Sequence, residues 1–240
     1  MFSRFALALV CLAFIGNGFT EEKRLTLVGD SWCPFNCSDQ PGNRGILVER
    51  AAAALAEEGF EVNYIEVPWT RSIAGVREAK YDAIVGTGPS ETPDFHFPPE
   101  PLAIAHHSFY TLPSRAWEYQ GLQSLEDVRI GVVQDYSYGG LYEEYIKKHQ
   151  DNPARVVTLS GDRALPRLIN MLSLGRIDAF IEAERVLNYQ FNSAGRTNPL
   201  RHAGLAYKEN LYVAFSPALD NGRELAAALG RGMAKANQSP

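Results

Sequence analysis

The chain has 240 residues, 45% of them hydrophobic and 21% charged. That is an ordinary globular composition, long enough for an unstapled core in one domain or two lobes of about 100 residues each. A formal charge of −5 excludes general electrostatic binding to nucleic acid, which needs a basic surface. No segment holds the roughly 18 uninterrupted apolar residues of a membrane span.

The chain opens on Arg4, an apolar run at residues 5–15 and the small residues Gly16, Asn17 and Gly18, before Glu21 and Glu22. Charge, apolar stretch and small residues in that order predict a secretory signal peptide at residues 1–20. Removing it takes away Arg4 alone among the charges, leaving the mature chain slightly more acidic. Cys11 lies inside the apolar run. Export leaves Cys33 and Cys37 as the only cysteines, in Cys-Pro-Phe-Asn-Cys. In an oxidising space this pair predicts a loop-closing disulfide. Metal binding would need further ligands at finger-like spacing, and a redox-active pair has two intervening residues where this one has three.

Strand, helix and turn signals then alternate. Residues 24–28 read as a strand running into Gly29-Asp30-Ser31-Trp32. A helix is predicted over 45–58, with Ile46, Leu47, Ala51, Ala54 and Leu55 as its apolar stripe and Gly59 as its stop. A strand follows at 62–67 and a second helix at 69–78, before Lys80-Tyr81-Asp82-Ala83-Ile84-Val85. The order recurs further on. A strand at 128–133 runs into Gln134-Asp135-Tyr136-Ser137-Tyr138, then come a helix at 140–148 and a strand at 155–159. The next helix begins near Asp162, whose carboxylate can cap free amides, and Arg176-Ile177-Asp178-Ala179-Phe180-Ile181 closes the set. A helix at 182–191, a strand at 211–215 and a helix at 223–236 complete the chain. Two related α/β units are implied, each a mainly parallel sheet covered on both faces. The loops after the first strand of each unit lie beyond strand carboxyl ends, where such sheets bind ligands, and are expected to face each other across a cleft.

The Pro-Phe loop after the first strand and Gly45-Ile46-Leu47-Val48 opening a helix are two of several family marks. The others are Pro68-Trp69-Thr70-Arg71, Lys80-Tyr81-Asp82-Ala83, Leu125-Glu126-Asp127-Val128 and Gly175-Arg176-Ile177-Asp178-Ala179. In this order and spacing, over residues 24–236, the chain resembles family 3 extracytoplasmic solute-binding proteins of amino-acid transport. The resemblance implies an α/β, two-lobed type 2 periplasmic-binding-protein fold with the ligand cleft between lobes. Lobe 1 would hold residues 21–112 and 206–240, lobe 2 residues 113–205, with hinge strands near 109–114 and 203–207. It further implies a monomer in the periplasm that closes around a small-molecule ligand, amino-acid-like or an organic acid or amine, for a membrane permease or sensor. No cofactor or metal is expected.

Two departures argue against an ordinary α-amino acid. Residues 86–96 contain no arginine where the family holds the ligand carboxylate, and the family's carboxylate for the ligand amino group falls at Ala183, between Glu182 and Glu184. Losing a bidentate arginine forfeits the strongest carboxylate contact. Among aromatic candidates, Trp32, Phe35, Trp69 and Tyr136 are either ligand walls or core packing. Arg71 either restores the missing positive charge or is a solvated surface residue, which makes a weakly basic cleft the expectation. Ser137 either offers donors to an anion or caps a helix. Thr87 and Gly88 follow a strand end and offer close backbone contacts or turn chemistry, and Glu182 is the carboxylate candidate.

Two enzyme readings were weighed against simple binding. Residues 135–139 loosely match a nucleophile elbow, with Asp178 and His202 following in hydrolase order, but no oxyanion loop is evident. A periplasmic dehydratase of cyclic prephenate-like acids would use Glu182 or Glu184 as general acid. The expectation is a binding protein without catalysis of its own.

Overall fold

The structure, a computed structural model, describes residues 23–38, 42–134, 136–160 and 163–236. The expected signal peptide, Asp135 and the expected cap Asp162 lie outside these residues.

Two β-α-β-α-β units build the molecule. The first comprises β1 (Lys23–Gly29), α1 (Ile46–Ala56), β2 (Phe60–Glu66), α2 (Trp69–Arg77) and β3 (Ala83–Thr87). The second comprises β5 (Ile130–Val133), α3 (Gly140–His149), β6 (Val156–Leu159), α4 (Ala164–Ser173) and β7 (Ala179–Ala183). Between them runs β4 (Ala103–Thr111), and α5 (Glu184–Asn192), β8 (Arg201–Phe215) and α6 (Gly222–Ala236) complete the chain. In each unit the first strand lies in the middle, parallel to its two partners.

The repetition reaches single atoms. The Asp82 amide donates to Thr26 O and its Oδ2 accepts from Thr26 N. Asp178 makes the same exchange with Arg129. Each aspartate thereby ties the third strand of its unit to the start of the first. The preceding helix ends alike in both units. Ala79 N and Lys80 N donate to Val76 O and Gly75 O, as Gly175 N and Arg176 N do to Leu172 O and Met171 O. This closure puts Ala79 and Gly175 in the left-handed region, at φ 55° and 65°. The second unit spends a glycine there, while the first tolerates an alanine.

Helix burial follows the apolar stripes. α1 buries Leu47, Val48, Ala51, Ala54 and Leu55 against α6, β2, β3 and β8, with Ile46 of the expected stripe only half-buried, and α4 buries Leu168 and Leu172 beside Ile177 and Phe180. Each such leucine contributes about 1.5–3 kcal/mol of transfer free energy.

The strands form one continuous mixed sheet in the order β2-β1-β3-β8-β4-β7-β5-β6, where two separate sheets were expected. The cause is β8, which begins at Arg201 and not at residue 211. At about 3.3 Å per residue, fifteen residues span roughly 50 Å, enough to serve both units. Its end pairs antiparallel with β3, and most of its length pairs antiparallel with β4, which in turn pairs with β7. Its first half contains the hinge strand expected near 203–207; exposed His202, Lys208 and Asn210 break the apolar run that would have joined it to the strand expected at 211–215. Likewise Glu182 lies within β7, one residue before its end, instead of opening α5.

Candidate ligand-binding site

The loop after β1 is held by hydrogen bonds and by a covalent link. Cys33 and Cys37 are joined by a disulfide, with Cα atoms 4.6 Å apart. The first amides of α1, on Ile46 and Leu47, donate to Pro34 O and Phe35 O. These groups would otherwise be orphaned at a helix start, so the helix fixes the loop and the loop caps the helix. Phe35 is sealed beneath, 1% exposed, with its ring centroid 4.6 Å from that of Trp32. It is a core residue supporting Trp32, not a wall of the cleft.

Above it lies an inner chamber of about 50 Å³ lined from both units and from β4 and β8. The first unit supplies Asp30, Trp32, Asn36, Trp69, Gly86 and Glu91; the second supplies Tyr136, Ser137, Tyr138 and Glu182; β4 and β8 supply His107, Tyr207 and Glu209. An outer cleft of about 650 Å³ adjoins it, sharing Asp30, Trp32, Trp69, Tyr136 and Glu182 and extending to Pro68, Arg163 and Tyr189.

Of the sequence candidates, Trp32, Trp69, Tyr136, Ser137 and Glu182 thus meet at the chamber. Phe35, Arg71, Thr87 and Gly88 do not line either cavity. Arg71 is exposed on α2. Thr87 is fully buried, its hydroxyl within 3.1 Å of Glu91 Oε2 and 3.2 Å of Thr92 Oγ1. Gly86 takes the lining position just before it, at φ 95°, where the β3–β8 register shifts. Such a bulge turns the strand edge toward the site, and alternation alone does not announce it.

The chamber is acidic, which corrects the expectation of a weakly basic cleft. Among the described residues, Asp30, Glu91, Glu182 and Glu209 line it, and neither lysine nor arginine does. Burial, reinforced by repulsion from Glu91, Glu66 and Glu182, pushes the Asp30 carboxyl from its ordinary 3.8 up to about 6. Glu182 is 6% exposed, and burial raises its pKa too, against the lowering effects of the Ala183 amide and His107. Burial likewise raises Glu91, although its Oε1 accepts from Trp69 Nε1 at 2.7 Å. His107 Nε2 lies 2.8 Å from Glu209 Oε2, with its ring stacked on Tyr207 at 4.4 Å.

The expected anion donors are spent within the protein. Ser137 Oγ donates to Glu143 Oε1 at 3.0 Å, and the Tyr138 amide donates to the same atom at 3.3 Å. Glu143, in the first turn of α3, therefore occupies two donors of the preceding loop that an anionic ligand would need. The hydrolase constellation does not assemble. His202 Nε2 pairs with Ser108 Oγ at 3.0 Å, and Asp178 pairs with Arg115 at 2.8 Å. Among the described residues, no group of three or more His, Cys, Asp or Glu is placed to hold a metal ion, and no helix is long and apolar enough to cross a membrane.

Sequence reasoning missed Asn36, Glu91, His107, Tyr207 and Glu209 as lining residues. His107 alone carried a signal, since strand alternation sends it and His106 to opposite faces; His106 is exposed and His107 buried.

No protein-family model matches the chain, and no curated protein matches it either. Solved structures do. A histidine kinase sensor domain with similarity to periplasmic binding proteins aligns at TM-score 0.71 and 19% identity, over 90% of this chain and 91% of that one. An amino acid ABC transporter substrate-binding protein from Streptococcus pneumoniae, bound to L-arginine, aligns at 0.65 and 21%, over 90% and 89%. An ancestral amino acid-binding protein, a precursor of cyclohexadienyl dehydratase, aligns at 0.65 and 18%, over 90% of both chains. This chain has the two-lobed periplasmic-binding-protein fold.

Proposed function

We propose that the protein is an exported, periplasmic solute-binding protein that closes two lobes around a small solute and presents it to a membrane permease or sensor. Residues 21–112 and 206–240 form one lobe and residues 113–205 the other, with β4 and β8 as the crossing strands. The observation that carries this reading is the chamber itself, to which the two β-α-β-α-β units and both crossing strands contribute walls. Closure of such a cleft expels water and strengthens its polar contacts, which makes the closed state depend on the ligand. The aligned transporter component and sensor domain are the two settings in which such a protein would act.

A dehydratase of prephenate-like acids is the second reading, favoured by the raised carboxyls of Asp30 and Glu182 and by the ancestral neighbour. Its substrate carries carboxylates, and a chamber lined by four carboxylates without lysine or arginine repels them. The chemistry therefore favours binding without turnover.

A thermal-shift screen of the mature protein against amino acids, amines, organic acids and sugars tests the proposal. A solute at 100 times its dissociation constant stabilises by about 2.7 kcal/mol, several degrees for a chain of this size. Turnover of prephenate-like acids, with no solute shifting the melt, would overturn it.

A further inference from the structure

We propose that the solute is a small organic cation without a carboxylate, an amine whose ammonium group enters the inner chamber while its body lies in the outer cleft. This deepens the proposed function and rests on its reading of the cleft as the solute site.

Three independent observations lead there. First, among the described residues the chamber holds four carboxylates and no lysine or arginine. Glu182 is nearly fully buried; the Ala183 amide donates to its Oε1 at 2.8 Å and Trp32 and His107 also favour its charged form, yet among the described residues no lysine or arginine lines the chamber beside it. A buried carboxylate without a cation is costly, and an incoming ammonium group removes the cost. Second, Asn36 lines the chamber at 1% exposure. Its Nδ2 donates to Val85 O at 3.0 Å, which orients the amide, and its Oδ1 has no partner. A buried, unfilled acceptor calls for a donor, and an ammonium group is a donor only. Third, the walls between the carboxylates are aromatic: Trp32, Trp69, Tyr136, Tyr138 and Tyr207. Ring faces attract cations, most strongly where water is excluded.

The same surroundings reject a ligand carboxylate. The Ile46 and Leu47 amides are given to the loop carbonyls, and Ser137 Oγ and the Tyr138 amide are given to Glu143. Arg163, in the outer cleft, is the single Lys or Arg lining either cavity among the described residues. The chamber's volume of about 50 Å³ admits a headgroup of ammonium size, and the carboxylates are too dispersed for a metal ion.

Matched pairs differing by one carboxylate test this on the mature protein: agmatine against arginine, putrescine against ornithine, choline against glycine betaine. Binding is read by calorimetry and melting shift. At least one carboxylate-free member should bind, about tenfold or more tighter than its carboxylated partner, because like charges facing each other across a site are penalised. Glu182→Gln should weaken that binding about tenfold or more while the protein still melts cooperatively. Should that variant fail to fold, Asp30→Asn carries the same expectation. Equal binding of both members of every pair, or of anions alone, overturns the inference but leaves a solute-binding protein. Silence of these cations alongside a response to a sugar does the same. Silence of every solute overturns both readings.

Discussion

The carboxylates on the outside of the protein and those in the chamber are the same chemical groups in opposite states. Outside, Glu49 lies 2.9 Å from Arg44, Asp94 2.7 Å from Arg77, and Glu58 within reach of Arg231 and Lys235. Hydrogen bonds from those cations hold all three below the ordinary carboxylate range. Inside, Asp30, Glu91 and Glu182 have no such partner, and burial raises all three. The exterior pairs its carboxylates with lysine and arginine, whereas the chamber keeps Asp30, Glu91 and Glu182 buried without such a cation among the described residues, at a cost in stability. That pattern is expected of groups retained for a ligand.

The difference makes a pH prediction of definite sign. Asp30, at about 6 in the folded protein against 3.8 in its ordinary state, binds its proton more tightly when folded. Its destabilising effect is complete above about pH 6 and is relieved as pH falls toward 4. Glu49 and Asp94, held low, stabilise above their ordinary range and lose that contribution only as pH falls through their lowered values. The ligand-free protein should therefore melt higher near pH 5 than at pH 7. A melting temperature that falls steadily from pH 7 to 5 would erase the contrast.

Asp30→Asn is expected to have the largest effect among single substitutions. It should raise the ligand-free melting temperature at pH 7 by several degrees, flatten the pH dependence between 4 and 6, and weaken cation binding. Stability gained at the expense of binding is the usual signature of a functional site. Glu49→Gln should act the other way, lowering stability by roughly 0.5 kcal/mol, since the Arg44 pair is partly exposed and screened by water. Moderate salt should erase most of that loss. The smallest change is expected from Asp94→Asn, within about 0.5 kcal/mol of the parent, because its pair with Arg77 is open to solvent on both sides. Equilibrium denaturation at two ionic strengths measures both.

Much of the fold was legible because local signals agreed with it. The apolar stripe of α1, the capping turns before Asp82 and Asp178, and the alternation of strand and helix all express short-range geometry. The loops after β1 and β5 both reach the chamber, as expected, and they carry Trp32, Tyr136 and Ser137; Trp69, at the start of α2, and Glu182, in β7, join them there from other elements. What failed was anything set by partners distant in sequence. Phe35 could not be told from Trp32 as a wall until its neighbours sealed it. Arg71 is the third residue of α2, yet that helix turns it outward. Glu91 reads as one acid in a polar turn until Trp69, twenty-two positions earlier, donates to it.

By itself, then, the sequence determined the two β-α-β-α-β units, their order and the loops that would carry a site, because those follow from periodicity and turns. The sign of the site's charge was decided only by tertiary structure. Net charge counts every carboxylate equally, but chemistry depends on which of them the fold supplies with a cation. The fold set Arg44 beside Glu49, Arg77 beside Asp94 and the distant Arg231 and Lys235 beside Glu58, and left Asp30, Glu91 and Glu182 facing an acidic chamber without such a partner among the described residues.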